Sequence, residues 1–214
     1  MARRDTRELI LGTSLELFNE FGEPNVTTNH IADEADISPG NLYYHFRAKD
    51  DIVIELFKRF LGRFQPLIDI PENVLFSTED LWFQLHLSFE LKGEYRFLYR
   101  NLADLTSRIP DLDRAMRALL AREHQAALNS LNGMEQAGIL QISAPEKALL
   151  AESLLLALTY WIPFAELHTP GGLEDGEAQI SAVARVLMMV VPHLREPERE
   201  QLTSIAFQYL DKII

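Results

Sequence analysis

Cysteine is missing from all 214 residues. Its absence excludes disulfides, thiolate zinc sites and a cysteine nucleophile, and it suits a reducing cytoplasm. Long uncharged runs are missing as well. The longest apolar stretch, Ser153 to Ala165, is bracketed by Glu152 and Glu166 and interrupted by Pro163, whereas a membrane span takes about 20 residues. No membrane partner is expected. The start, MARRDTRELI, has the charged beginning of an export signal but no apolar stretch behind it, because Asp5, Arg7 and Glu8 intervene. A cytoplasmic protein is the expectation. Positive charge is scarce: 20 Lys and Arg stand against 32 Asp and Glu, a net charge of −12.

Catalytic constellations are lacking too. There is no phosphate loop, no nucleophile elbow and no thiol. The paired acids Asp33/Glu34, Asp50/Asp51 and Asp111/Asp113 are neighbours or nearly so, and such residues do not face one another on a helix. His86 and Glu90 lie four apart and could share a face as metal ligands do, but no second pair accompanies them. Neither an enzyme nor a bound cofactor or metal is expected.

What is present is a helical chain, 47% hydrophobic, with one stretch of unusual punctuation: VTTNHIADEADISPGNLYYHFRAKDD, Val26 to Asp51. Thr27 is an N-cap residue. Ile31, Ala32 and Ala35 recur at helical spacing and give a first helix of about two turns. Asp36 sits where the chain must reverse, and Asp tolerates the left-handed conformation better than most residues. Ser38-Pro39 then starts a second helix, Ser as N-cap and Pro at the first helical position. That helix, Pro39 to about Phe46, is apolar on one side through Leu42 and Phe46. Its other side shows Gly40, Asn41, Tyr44 and His45. A short helix this polar buries too little to stabilise itself, and helix-turn-helix proteins place such a helix in the DNA major groove.

Residues 10–57 resemble the DNA-binding domain of the TetR family. The resemblance rests on Ile10, Leu17-Phe18, Phe21-Gly22, Thr27-Thr28, Ile31-Ala32, Ala35, Ile37-Ser38, Leu42-Tyr43, His45-Phe46, Lys49 and Leu56-Phe57. It implies an all-α protein with a three-helix, helix-turn-helix DNA-binding domain at the N-terminus and a larger helical ligand-binding and dimerisation domain behind it. The division is expected at 1–50 and 51–214. The family consists of dimeric transcriptional regulators, usually repressors released from operators by a small ligand. Two positions depart from its pattern: Asp36 stands where the turn usually carries Gly, and Ala48 where a capping Ser or Asn commonly precedes the lysine. Asp50 and Asp51 can offset the second through the helix dipole.

By match to that pattern and by chemistry, Asn29, Gly40, Asn41 and Tyr44 are candidates for base edges. An Asn amide can pair with adenine, and Gly permits close approach. Thr27, Thr28, Tyr43, His45 and Lys49 are candidates for phosphates. Residues 1–60 hold seven Lys and Arg against eleven Asp and Glu, so even this region is net negative. Phosphate binding responds to charge within about a Debye length, roughly 8 Å. A small positive footprint on an acidic body is expected, from a basic arm at Arg3, Arg4 and Arg7 and from Arg47 and Lys49.

Along the rest of the chain, helix 1 is expected from about Asp5 to Phe21 and stopped by Gly22. A connector helix from about Ala48 should end near Gly62 or Gln65-Pro66, followed by a loop over Asp69–Ser77. Ser77 caps the next helix, Tyr95–Leu105 reads as another, and a long helix after Pro110 runs to about Gln136 and is closed by Gly138. Ligand pockets are mostly apolar with a few polar groups, which singles out Trp82, His86, Phe89, Tyr99 and Trp161 as the lining for a small apolar or amphipathic effector. The helices near 146–168 and 177–194 are apolar nearly all round and must be covered all round. A homodimer interface built from them is expected, with a loop over His168–Gly176 between them. A last helix spans Glu196 to Leu210. The partners so implied are a double-stranded DNA operator, a second copy of the chain and an effector. An acidic helical adaptor without DNA binding is the alternative, and an all-α enzyme the remoter one.

Overall fold

The computed structural model describes residues 3–168 and 177–210; of Arg3–Asp5, Glu177 and Ala178 it describes the backbone alone. The described residues form eleven α-helices and two short 3-10 turns, and no strand occurs among them. In chain order the helices are α1 (Arg3–Phe21), α2 (Thr28–Glu34), α3 (Pro39–His45), α4 (Lys49–Ile68), α5 (Thr78–Glu94), α6 (Arg96–Arg100), α7 (Leu102–Arg108), α8 (Pro110–Gln136), α9 (Ala144–His168), α10 (Glu177–Val190) and α11 (Glu198–Leu210). Most of the expected loop after His168 lies outside the described residues, as do the side chains of Arg3 and Arg4.

The chain divides into two compact units. The first comprises Met1–Arg63 with Tyr95–Met116, the second Phe64–Glu94 with Arg117–Ile214. In the first, Ile10, Phe18, Ile31, Leu42, Ile52 and Phe60 are fully buried. Tyr99 and Phe97 join that core: the Phe60 and Tyr99 rings meet edge-on at 6.0 Å, and Phe18 and Phe97 lie 5.3 Å apart. Asn19 Oδ1 accepts the Phe97 backbone N–H. Gly22, at φ 79°, takes the left-handed stop after α1 and donates its N–H to Phe18 O.

In the second unit α10 is the central element and packs against α5, α9 and α11. Ala182, Val183, Ala184, Val186, Leu187 and Val190 are all buried within the chain. Leu81, Leu85, Phe89, Leu131 and Leu154 belong to the same core.

Two helix ends differ from the sequence expectation. Helix α4 runs through Pro66 to Ile68. Proline removes one intrahelical bond there, but Phe64 and Ile68 on the same turn are both buried, and that burial holds the last turn. The single helix expected over Tyr95–Leu105 is two, broken at Asn101, whose φ of −111° leaves the helical range. The Asn101 side chain faces the Glu23 backbone N–H at 3.4 Å, a tertiary contact that the local pattern does not encode.

Candidate nucleic-acid interface

Helix α3 is built as a short platform. Ser38, in extended conformation, accepts the Asn41 N–H at 3.2 Å, and Pro39 fills the first helical position. Leu42 is fully buried and Phe46 nearly so, which anchors one side. The reversal before it places Asp36 at φ 50°, the left-handed region that Asp enters more readily than most side chains. Ile37 N–H then bonds back to Ala32 O at 3.0 Å.

The other side of α3 faces water. Gly40 and Asn41 are exposed, Tyr44 is 66% exposed and Tyr43 48%. His45 is half-buried, with its ring edge-on to Tyr44 at 5.3 Å. A Cβ on Gly40 would meet nothing closer than Ser38 Oγ at 3.9 Å. The fold therefore does not require glycine at this position. Helix α2 stands beside it: Thr27 caps α2 by accepting the His30 N–H, and Thr28 Oγ1 and Tyr43 OH share a hydrogen bond of 2.9 Å. Asn29 is exposed. The structure thus brings Thr27, Thr28, Asn29, Gly40, Asn41, Tyr43, Tyr44 and His45 onto two adjoining short helices.

Lys49 is placed differently. Its ammonium donates to Glu23 O (2.8 Å) and Val26 O (2.9 Å) and pairs with Glu23 Oε1 at 3.0 Å. All three of its donors are spent inside the protein, so it positions the motif instead of presenting a free charge. Glu23, fully buried, also receives Arg108 at 2.9 Å on both carboxylate oxygens, and Arg108 reaches Asp50 as well. Glu23 and Arg108 are supports that the local sequence pattern does not announce. They lie 85 residues apart, and no local signal pairs them. Other cations are also internally matched: Arg7 pairs with Glu55 and stands over the Phe46 ring, and Arg59 pairs with Glu8. Arg47 is exposed. Ala48, without a capping side chain of its own, has its N–H bonded by Asp51 Oδ2 at 3.0 Å, so the acid three residues on caps α4 from within.

The second unit contains a cavity of about 30 Å³ between α5, α8, α9 and the end of α4. Its walls are mostly apolar, with Gln84, Ser88, Glu123 and Ser130 among them. Glu123 is buried and pairs with the equally buried Lys92 at 2.8 Å. Burial pushes the Lys92 ammonium down from the ordinary lysine value, against the opposing pull of Glu123. None of the five expected ligand residues lines this cavity. Trp82 and His86 stack at 5.7 Å, with Trp82 Nε1 donating to Tyr209 OH at 2.7 Å. Phe89 is a core residue, Trp161 lies under the Arg185 guanidinium, and Tyr99 belongs to the first unit. Among the described residues no three His, Cys, Asp or Glu converge as a metal site.

Helix α9 is long and apolar enough to cross a membrane by length and composition alone. In the structure it carries an uncovered stripe, Leu149, Leu156, Tyr160, Phe164 and Leu167, all at least half exposed. Their spacing of 7, 4, 4 and 3 residues puts them on one side.

Two sequence patterns match the chain: that of bacterial regulatory proteins of the tetR family over residues 10–56, and the TetR bacterial transcriptional repressor pattern over residues 59–202. The HTH-type transcriptional repressor KstR2 of Mycolicibacterium smegmatis is 29% identical over 111 residues, covering 50% of this chain and 54% of its own. The HTH-type transcriptional regulator QacR of Staphylococcus aureus is 30% identical over 95 residues, covering 44% and 50%. The matched region is thus about half the length of these two relatives. A crystal structure of a TetR-family regulator from Marinobacter aquaeolei superposes with a TM-score of 0.86 at 35% identity, over 98% of this chain and 99% of that one.

Proposed function

The chain belongs to the TetR family of bacterial transcriptional regulators, and from that premise we propose that it is a ligand-responsive repressor that binds a palindromic operator as a homodimer. The observation that carries the reading is the outer side of α3. Its polar residues are exposed while Leu42 and Phe46 fasten the opposite side. In this reading Asn29, Gly40, Asn41 and Tyr44 meet base edges, and Thr27, Thr28, Tyr43 and His45 meet phosphates, the Thr28–Tyr43 hydrogen bond setting the two groups in register. Lys49 holds the frame.

The second copy docks on the α9 stripe. Burial of α10 within its own chain leaves Arg185 exposed and Met188 and Met189 only half-buried, so α9 supplies most of the apolar contact. Dimerisation then sets two α3 helices about one DNA turn apart, roughly 34–36 Å, to meet successive major grooves. The effector enters the cavity beside Glu123. A coupling of about 1–3 kcal/mol between effector and operator sites gives 5- to 150-fold release.

A mobility-shift assay with the DNA flanking the protein's own gene tests the reading, run beside light scattering for subunit count. Retarded migration and a dimer are expected. Unchanged migration at low salt would point to the acidic adaptor instead.

A further inference from the structure

The effector seat has an unusual polar balance. Lys92 and Glu123 are almost wholly buried, at 1% and 3% side-chain exposure, and together carry no net charge. Lys92 is engaged inside the protein: it donates to Leu158 O at 3.1 Å, pairs with Glu123 Oε1 and stands over the Phe64 ring at 5.2 Å. Glu123 is only half used. Its Oε2 is buried with no hydrogen-bond partner, and Glu123 lines the cavity. A buried acceptor without a partner is destabilising, the more so when charged, and its presence at a cavity wall marks where a ligand donor belongs.

Charge decides which donor. A carboxylate ligand would meet a cation already engaged and a carboxylate facing it. A cationic ligand would satisfy Glu123 but leave a net positive charge in an apolar interior, next to Lys92, where desolvation is expensive. A neutral hydroxyl satisfies Oε2 and leaves the balance at zero. The surrounding walls, Phe64, Leu81, Leu85, Leu154 and Leu158 among them, suit a hydrocarbon body. At about 30 Å³ the cavity holds about one water, so any such ligand parts α5, α8 and α9 as it enters.

We infer that the effector is a neutral apolar alcohol or phenol whose hydroxyl donates to Glu123 Oε2. The inference rests on the reading of this cavity as the effector seat. Its test is calorimetric titration of the full chain, without DNA, with four probes of one shape: 4-propylphenol, propylbenzene, 4-propylbenzoate and 4-propylbenzylammonium. The phenol is expected to bind at least about tenfold more tightly than the hydrocarbon, the ratio of one hydrogen bond to a charged acceptor, and more tightly than either ion. In K92M/E123L, which removes both charges together, the advantage of phenol over hydrocarbon should vanish. Tightest binding by either ion would overturn the head-group assignment and leave the seat standing. Unchanged phenol affinity in the double variant would overturn the role of Glu123. Failure of all four probes, the hydrocarbon included, would overturn the seat itself. If the double variant does not fold, the ranking on the unaltered protein still decides.

Discussion

At the scale of single residues, the candidate interface separates side chains that the fold needs from those it does not. Gly40 has open space where a Cβ would go, so Gly40→Ala should leave the melting temperature within about 1 °C or raise it slightly. If α3 approaches base edges closely there, the same change weakens operator binding about tenfold or more, as a lost contact of 1–3 kcal/mol would. Mobility shift and thermal melting together check both halves. Tyr44→Ala should weaken operator binding by a similar amount with the dimer intact, and loss of the dimer in light scattering would mark the residue as structural instead. Asp36 is the reverse case. Its positive φ makes Asp36→Val cost about 1–2 kcal/mol in urea unfolding, because a β-branched side chain resists the left-handed region. Lys49 was legible in the sequence as a lysine in the right place, but not as one with its donors already spent. Nothing within the motif announces Glu23 as its partner.

At the scale of elements, the helices are held as much by their ends as by their faces. Glu146 reaches back to Ser143 at the start of α9, accepting the backbone N–H at 3.1 Å and the hydroxyl at 2.6 Å. These bonds, with His193 adding to them, hold its carboxyl below the ordinary value of 4.5. A carboxyl with a lowered folded-state value binds fewer protons folded than unfolded, so its contribution is complete above 4.5 and is lost as pH falls through the folded value. The melting-temperature difference between the unaltered protein and Glu146→Gln should therefore be present at neutral pH and shrink as pH falls below 4.5. The 3-10 turn Glu23–Asn25 before α2 is tied down by the Glu23 carboxylate, which pairs with Lys49 and Arg108. Glu23→Ala takes a carboxylate from Lys49, which keeps two backbone carbonyls, and from Arg108, which keeps Asp50, and is expected to cost about 1–3 kcal/mol, less than for a wholly buried pair because Arg108 is itself about a third exposed. Chemical unfolding measures it. The N-caps at Thr27, Ser38 and Ser77 could be read from residue types alone. The break at Asn101 and the passage through Pro66 could not, since both answer to contacts from distant parts of the chain.

At the scale of the whole molecule, acidity and an uncovered apolar stripe govern behaviour. A reading head whose cations are largely matched internally should show a shallow dependence of operator affinity on salt, since the slope follows the number of phosphates neutralised. A fall in log affinity with log salt steeper than about −5 would contradict the small positive footprint. Tyr160→Glu on the α9 stripe should yield monomers in light scattering with the helical content unchanged, because a charge in a two-fold contact is buried twice. What the residues determined by themselves was everything local: the helical class, the helix-turn-helix with its caps and reversal, and the polar side of α3. Spacing and capping act within a few residues, so one strand of text carries them. Tertiary structure alone decided which cations remain free, that Tyr95–Met116 joins the N-terminal unit, that α10 is largely covered by its own chain while α9 keeps an exposed apolar stripe, and where the cavity lies. Each of those depends on which distant side chains arrive at the same point, and burial, charge pairing and empty volume exist only once they have met.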